Sequence, residues 1–515
     1  MTETSYDTIK QKSNRGDFSV MHSYLLGIDV GTTGTKTMLF RSDGVLVKHA
    51  YQGYPMYTPA VNYSEQDAED WWNAVCQTVR SVCADIDVSK VAAISLSLQG
   101  GTMVAVDENM VPVRRAMVWN DNRCTAEQEA YLREVGTAHT MYEKTGWNLG
   151  AGLPALEIRW MKDHEPELFE KTAMFLSVPD YISVKMTGIA AVDPSNLGIN
   201  QLGNLCRGGY DQDLLRFAGI TEEKLPKIVA SGAVIGHLTE AAAEALGLTT
   251  STVLVAGAHD QYAVALGAGA VNGGDILIGS GTCWVVTAIG NEPAFDTGLA
   301  QSISAVPGKW GSLRSLSSGG VCLEWLRKNL AAGPDGSLLS FDTVNTEAAC
   351  RKAAEDGLFF VPFSGYAPNG DFRQGTFLGL DLSHDRYHMA RAIMEGVVFQ
   401  VLLMLESFRT KPSESGIILT GGGAKSPLWR QLVADIFGLP VRIPEVADMA
   451  CVGAAVLAGT GCGIFPSVEY GYRTLAVQEQ VLQPDPARTA IYRPLYEAYK
   501  RCCQALLPVY YRKDG

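Results

Sequence analysis

With 515 residues, 47% of them hydrophobic and 19% charged, the chain is long enough for two large cores or more. A formal charge of −13 and a pI near 5.2 argue against a nucleic-acid partner, which calls for clustered Lys and Arg, and no run of about 18 apolar residues suits a bilayer span. The eleven Cys show no C-x-x-C pair and no Cys/His ligand spacing, and the eight His are scattered, so free thiols, a reducing cytoplasm and no metal cluster are expected.

The first twenty residues are polar, lack the apolar stretch of a secretory signal and are expected to be a disordered tail, 1–23. From Tyr24 the apolar run Leu25, Leu26, Ile28 and Val30 breaks at Gly31-Thr32-Thr33-Gly34 and resumes at Met38-Leu39-Phe40, which reads as strand, turn, strand. After Ser42-Asp43-Gly44 a third strand through Val45 and Val47 would complete a meander. Ser64-Glu-Gln-Asp67 resembles a capping box, and Trp72, Val75, Val79, Val82 and Ile86 then recur at helical spacing. A buried strand, Val91–Leu98, follows, so helix-to-strand crossovers of the α/β kind are indicated.

The second half repeats the first in outline. Val253–Ala256 reads as a strand leading to Asp260, and Asp275–Ile278, Gly279-Ser-Gly-Thr282 and Trp284–Ile289 again read as strand, Gly/Thr turn, strand. Two such hairpins about 250 residues apart suggest a duplicated domain. After Ser383, apolar residues from Ala390 to Phe408 predict a long helix that is nonpolar almost all round, as inside or between domains. The strand ending at Thr420 meets Gly421-Gly422-Gly423, then a helix through Leu428, Leu432 and Ile436, and the strand Val441–Ile443.

The chain has neither a Walker loop nor a Rossmann fingerprint, so a bound phosphate would have to lie on the two Gly/Thr turns, where glycine lets backbone N–H groups approach and Thr adds hydroxyl donors. A tight hairpin needs the same residues for purely structural reasons. Asp29, between Ile28 and Val30, would be costly to bury without a partner, and a hydrated Mg2+ would supply one. The three glycines at 421–423 permit close approach of a flat or charged ligand, or simply make a turn. Asp260 sits at a strand end, suited either to accept a proton or to cap the helix suggested by Gln261–Leu266.

Gly27-Ile-Asp-Val-Gly-Thr-Thr-Gly-Thr-Lys36, Val118-Trp-Asn-Asp-Asn-Arg123, Gly257-Ala-His-Asp-Gln261, Gly279-Ser-Gly-Thr282, Gly319-Gly-Val-Cys-Leu-Glu-Trp325, Arg391-Ala-Ile-Met-Glu-Gly396, Leu419-Thr-Gly-Gly-Gly-Ala-Lys-Ser426 and Gly453-Ala-Ala455 occur in that order. Together, from about Tyr24 to about Phe465, they resemble the FGGY carbohydrate kinases, most closely the xylulokinase-like branch. The resemblance implies an α/β fold of two actin-like (ribonuclease H-like) ATPase domains around a central cleft: 24–268 binding sugar, 269–485 binding ATP, and 486–515 a C-terminal helical segment. It implies Asp260 as catalytic base and Asp29 near Mg2+. Thr32, Thr33, Lys36, Gly281, Thr282, Gly422, Gly423, Ala424 and Ser426 would lie around ATP, and Gln99, Gly100, Gly101, Trp119, Asn120, Asp121 and Gln261 around a sugar or polyol.

Gly100-Gly101 departs from the Arg-Glu pair of glycerol kinases and the Met-His pair of xylulokinases, so glycerol is disfavoured, and space beside Gln99 for a bulkier sugar is expected. A homodimer stays open. An actin- or chaperone-like ATPase and a catalytically silent sugar-binding regulator are the competing readings, because one fold hosts many functions.

Overall fold

The Gly/Thr-punctuated apolar run at the start of the chain folds as three consecutive antiparallel strands, Tyr24–Val30, Gly34–Arg41 and Leu46–Gly53. The computed structural model describes residues 23–510 apart from 296–297, 332, 334–335, 368–369, 373, 446–447 and 476–478. Residues 1–22 of the tail expected over 1–23, and the last five of the expected C-terminal segment, lie outside the described residues.

Tyr24–Val30 also pairs in parallel with Val91–Leu98, which pairs in parallel with Val253–His259, and Val234–His237 closes that edge antiparallel. The two central strands are buried on both faces, which is why they read as nearly unbroken apolar runs. A second sheet repeats this order. Ile276–Ser280 is antiparallel to its hairpin partner Trp284–Gly290, which continues to Trp310–Leu316 and Ala300–Ile303. On its other side Ile276–Ser280 is parallel to Ile417–Thr420, itself parallel to Val441–Pro444, with Glu479–Leu482 antiparallel at the edge. The likeness of the two hairpins is thus a likeness of two whole sheets.

Element ends differ from the sequence reading where a short polar side chain competes for the helix terminus. The first long helix is Ala68–Cys83, capped by Asp67, whose carboxylate accepts from Glu69 N, and Ile86 lies beyond its end. Glu65–Gln66, inside the supposed capping box, instead pairs as a short strand with Ala116–Met117. The long apolar helix is Arg386–Glu406, capped by Asp385, and Phe408 follows its last turn. It is long and apolar enough to cross a membrane, but 83% of its apolar window is buried inside the protein. Its buried ion pair, Arg391 Nε to Glu395 Oε1 at 2.7 Å, is completed by Tyr492 of the C-terminal helix Pro486–Tyr510, so this motif holds the second half together.

The halves meet at several places. Helix Met449–Gly461 crosses helix Asp260–Gly267 and strand Tyr24–Val30 at glycines: a Cβ on Gly453 would stand 2.0 Å from Ala263 O, and one on Gly27 1.9 Å from Cys451 O. At the far edge of the second sheet, Gln301 N donates to Gly146 O at 2.8 Å, Ser302 Oγ to Ser195 O at 2.7 Å and Tyr142 OH to Leu299 O at 2.7 Å.

Candidate active site

Pairing of the first two strands sets Asp29 opposite Lys36, and the parallel neighbour sets it beside Ser97. Ser97 Oγ donates to Asp29 Oδ1 at 2.9 Å. Lys36 Nζ lies 3.7 Å from Asp29 Oδ2 and 2.7 Å from Asp448 Oδ2, a carboxylate of the second half that caps helix Met449–Gly461. Asp29, Lys36 and Asp448 line a cleft of about 520 Å3 with Gly31, Asp260, Gln261, Thr420, Gly421, Gly422, Ala424 and Lys425. Asp260 is the first residue of its helix and one-third exposed. The capping alternative for it fails, since His259 Nδ1 accepts from Gln261 N at 3.3 Å and is the cap.

The second Gly/Thr turn meets the glycine run across the sheet. Gly279 is in register with Thr420, Ser280 Oγ donates to Thr420 O, and Ala424 N donates to Ser280 Oγ at 3.1 Å. Gly421 has φ +88°, and a Cβ there would be 2.9 Å from the Ser280 backbone, so only glycine lets the two loops touch. Beyond them opens a mainly apolar pocket of about 680 Å3 containing Gly281, Thr282, Gly422, Gly423 and Ser426. Gly422 and Lys425 line both cavities, so the cleft of Asp260 and the apolar pocket adjoin at these two residues.

Residues 24–267 match the N-terminal domain, and residues 275–462 the C-terminal domain, of the FGGY family of carbohydrate kinases. The chain is 32% identical over 451 residues to the gluconokinase of Bacillus subtilis (strain 168), covering 85% of this chain and 87% of that protein. It is 31% identical over 490 residues to the xylulose kinase of the same strain, covering 93% and 96%. Among solved structures, xylulose kinase from Rhodospirillum rubrum superposes with a TM-score of 0.87 at 27% identity, covering 95% of this chain and 100% of that one. The chain belongs to the FGGY family of carbohydrate kinases. It is an enzyme of that class, with the family's two-domain, actin-like α/β fold.

The sugar-side positions of this FGGY kinase divide. Trp119, half exposed, donates from Nε1 to Thr32 Oγ1 at 3.1 Å and so joins the two expected ligand sites. Gln99 is buried; its Nε2 donates to Gln66 Oε1 at 3.0 Å, and Gln66 Nε2 in turn to Thr32 O at 2.7 Å. Asn120 and Thr33 are exposed. Asp121 is a correction. It is wholly buried, and its two oxygens accept from Ser64 N and from Arg123 N, Nε and Nη2, so it braces the Trp119 segment and has no oxygen to offer a sugar. The space expected beside Gln99 is also absent. A Cβ on Gly100 would be 2.3 Å from His259 Cδ2, and Gly101, at φ +69°, would be 3.0 Å from Leu153 Cδ2.

Sequence reasoning missed the walls of the apolar pocket. Phe341 lies under the Arg327 guanidinium at 4.5 Å, and Asn345 Oδ1 accepts from Ser426 Oγ at 3.0 Å. The helix that carries both, Phe341–Ala349, has no recognisable motif. Asp448 was missed as well, although Asp before an apolar run is an N-cap signal.

Burial above all, and the neighbouring Asp448, push the Asp29 carboxyl up to about 7, against Lys36 and Ser97, which pull it down. An unfolded Asp titrates near about 3.9. Between those values the folded state keeps a proton that the unfolded state has released. This contribution to stability is therefore complete below the lower value and is lost as pH rises through the upper one. The ligand-free kinase should lose stability from about pH 5 to about pH 8 more steeply than its Asp29→Asn variant. Melting curves of both proteins at the two pH values measure this, and parallel shifts would contradict it.

Proposed function

We propose that the protein transfers the terminal phosphoryl group of Mg-ATP to a hydroxyl of a sugar or polyol, in the cytoplasm, with Asp260 as general base. The observation that carries the reading is that the cleft of Asp260, Asp29 and Lys36 adjoins, at Gly422 and Lys425, the apolar pocket of Phe341 and Ser426. Residues 24–268 would form the acceptor half, 269–485 the nucleotide half and 486–515 a C-terminal helical segment, a division supported by the two family matches.

The adenosine would lie between Phe341, Asn345, Gly423 and Ser426, with its phosphates over Gly281, Thr282 and the exposed Gly422. Backbone N–H groups there and the Thr32 and Thr33 hydroxyls face charge on phosphate oxygens, and Lys36 adds a cation. Among the described residues no three His, Cys, Asp or Glu gather into a metal cage. That suits Mg2+, which keeps several waters and binds through one or two carboxylates plus phosphate oxygens. Asp29 would hold it, and the ion would neutralise charge on the transferring group. Asp260 would take the acceptor proton, since a sugar hydroxyl is a weak nucleophile at neutral pH.

ADP release on adding each of a panel of pentuloses, hexuloses, alditols and aldonic acids tests the reading. Release that depends on one of them supports transfer. ATP hydrolysis indifferent to all of them would replace it with a plain ATPase.

A further inference from the structure

Lys36 is pulled by two carboxylates from opposite halves of the chain. Its Nζ lies 2.7 Å from Oδ2 of Asp448, at the start of helix Met449–Gly461, and 3.7 Å from Oδ2 of Asp29, in strand Tyr24–Val30. The shorter contact is a charge-assisted hydrogen bond; across the longer one the ammonium attracts the carboxylate without bonding to it. The Lys36 side chain is 46% exposed, the carboxylates 11% and 14%, so the flexible cation is the partner that can change place.

Each carboxylate is anchored through its other oxygen. Asp29 Oδ1 accepts from Ser97 Oγ at 2.9 Å, and Asp448 Oδ1 accepts from Cys451 N at 3.1 Å. That leaves Asp29 Oδ2 over: among the described residues no donor comes within hydrogen-bond distance of it. A largely buried carboxylate in that condition calls for a cation. Asp29 and Lys36 also stand directly opposite each other in the hairpin, a position where opposite charges pair by default. The group that parts them, Asp448, comes from the other half, and all three line the cleft that contains Asp260.

Parting them has a chemical consequence. Mg2+ that binds through one or two carboxylates and phosphate oxygens needs a carboxylate oxygen that no other cation has taken. An ammonium closed onto Asp29 would compete with the ion for the same oxygen. Held at 2.7 Å by Asp448, Lys36 stays in the cleft, where its charge can meet a phosphate, and clear of Asp29 Oδ2.

We propose that Asp448 is a positioning residue which, through Lys36, keeps Asp29 Oδ2 open for the Mg2+ of the nucleotide. This role rests on the kinase reading above. Mn2+ binding to the full chain saturated with ADP, followed by the paramagnetic resonance of the free ion, tests it on the parent, Asp448→Asn, Lys36→Met and the double variant. Asp448→Asn keeps the helix start, since Asn caps as well as Asp. It should bind Mn2+ about tenfold more weakly or worse, as when a group that orients a metal ligand is lost. In the Lys36→Met background the same change should weaken Mn2+ by no more than about twofold, because the cation that would close onto Asp29 is gone. A residue that merely capped the helix or joined the halves would show no such dependence on Lys36. Asp448→Ser, which also caps without charge, should match Asp448→Asn and replaces it if the amide variant does not fold. Asp448→Asn within about twofold of the parent, or equal losses in both backgrounds, would overturn the role, the second result making Asp448 a partner of the ion itself. ADP that fails to bind the parent removes the kinase reading and this role with it, whereas ADP and Mn2+ bound equally by parent and Asp448→Asn remove this role alone.

Discussion

Asp260→Asn is expected to lower kcat for acceptor phosphorylation by about 100- to 10,000-fold, the usual contribution of a positioned general base. The amide keeps the shape of the carboxylate but cannot take the hydroxyl proton. Folding should hardly notice, because the helix begins under a different cap: His259 Nδ1 accepts from Gln261 N, while the Asp260 side chain is one-third exposed in the cleft. What remains is the modest benefit of a negative charge at a helix N-terminus, about 0.3–1 kcal/mol. ATP affinity should also survive, since the apolar pocket is built from other elements. Stopped assays of sugar-dependent ADP release, with melting curves and nucleotide titration on the same preparation, separate the three quantities. A variant within about tenfold of the parent kcat would remove Asp260 from the chemistry.

Gly453→Val is expected to cost about 3 kcal/mol or more and to leave little soluble protein, the upper end of what overpacking does. The obstacle is main chain, not a side chain that can turn aside. The added Cβ would lie 2.0 Å from Ala263 O and 2.8 Å from its carbonyl carbon, and the reciprocal position, Gly267, would meet Met449 O at 1.9 Å. Even Gly453→Ala carries that Cβ. Urea unfolding of the Ala variant gives the measurement when the Val variant is insoluble, and an Ala variant within about 0.5 kcal/mol of the parent would show that the helices do not meet this closely.

The parts of the site that could be read from the sequence are those in which one short segment does the work. Asp29 with Gly31-Thr32-Thr33-Gly34, the second Gly/Thr turn and the glycines at 421–423 each place backbone and side chain within a few residues, and the structure brings Asp29, Gly31, Gly281, Thr282 and the three glycines to two adjoining cavities. What escaped depends on convergence. Asp448 meets Lys36 from the other half of the chain, and nothing in either segment announces the other. Gly100 was misread for the same reason, because a missing side chain signals space only when its neighbours are known, and His259 from the adjacent strand fills this one. Phe341 and Asn345 lie on a helix whose pattern records its packing rather than its ligand. The first helix start failed locally, where Asp67 outcompeted Ser64 as the cap.

The crossing at Gly453, Gly267 and Gly27 brings main chain against main chain, with no side chain between that could turn aside. The clearance of such a joint is set by the backbone itself, like a bearing fitted without a shim, and it keeps its alignment because nothing in it can deform.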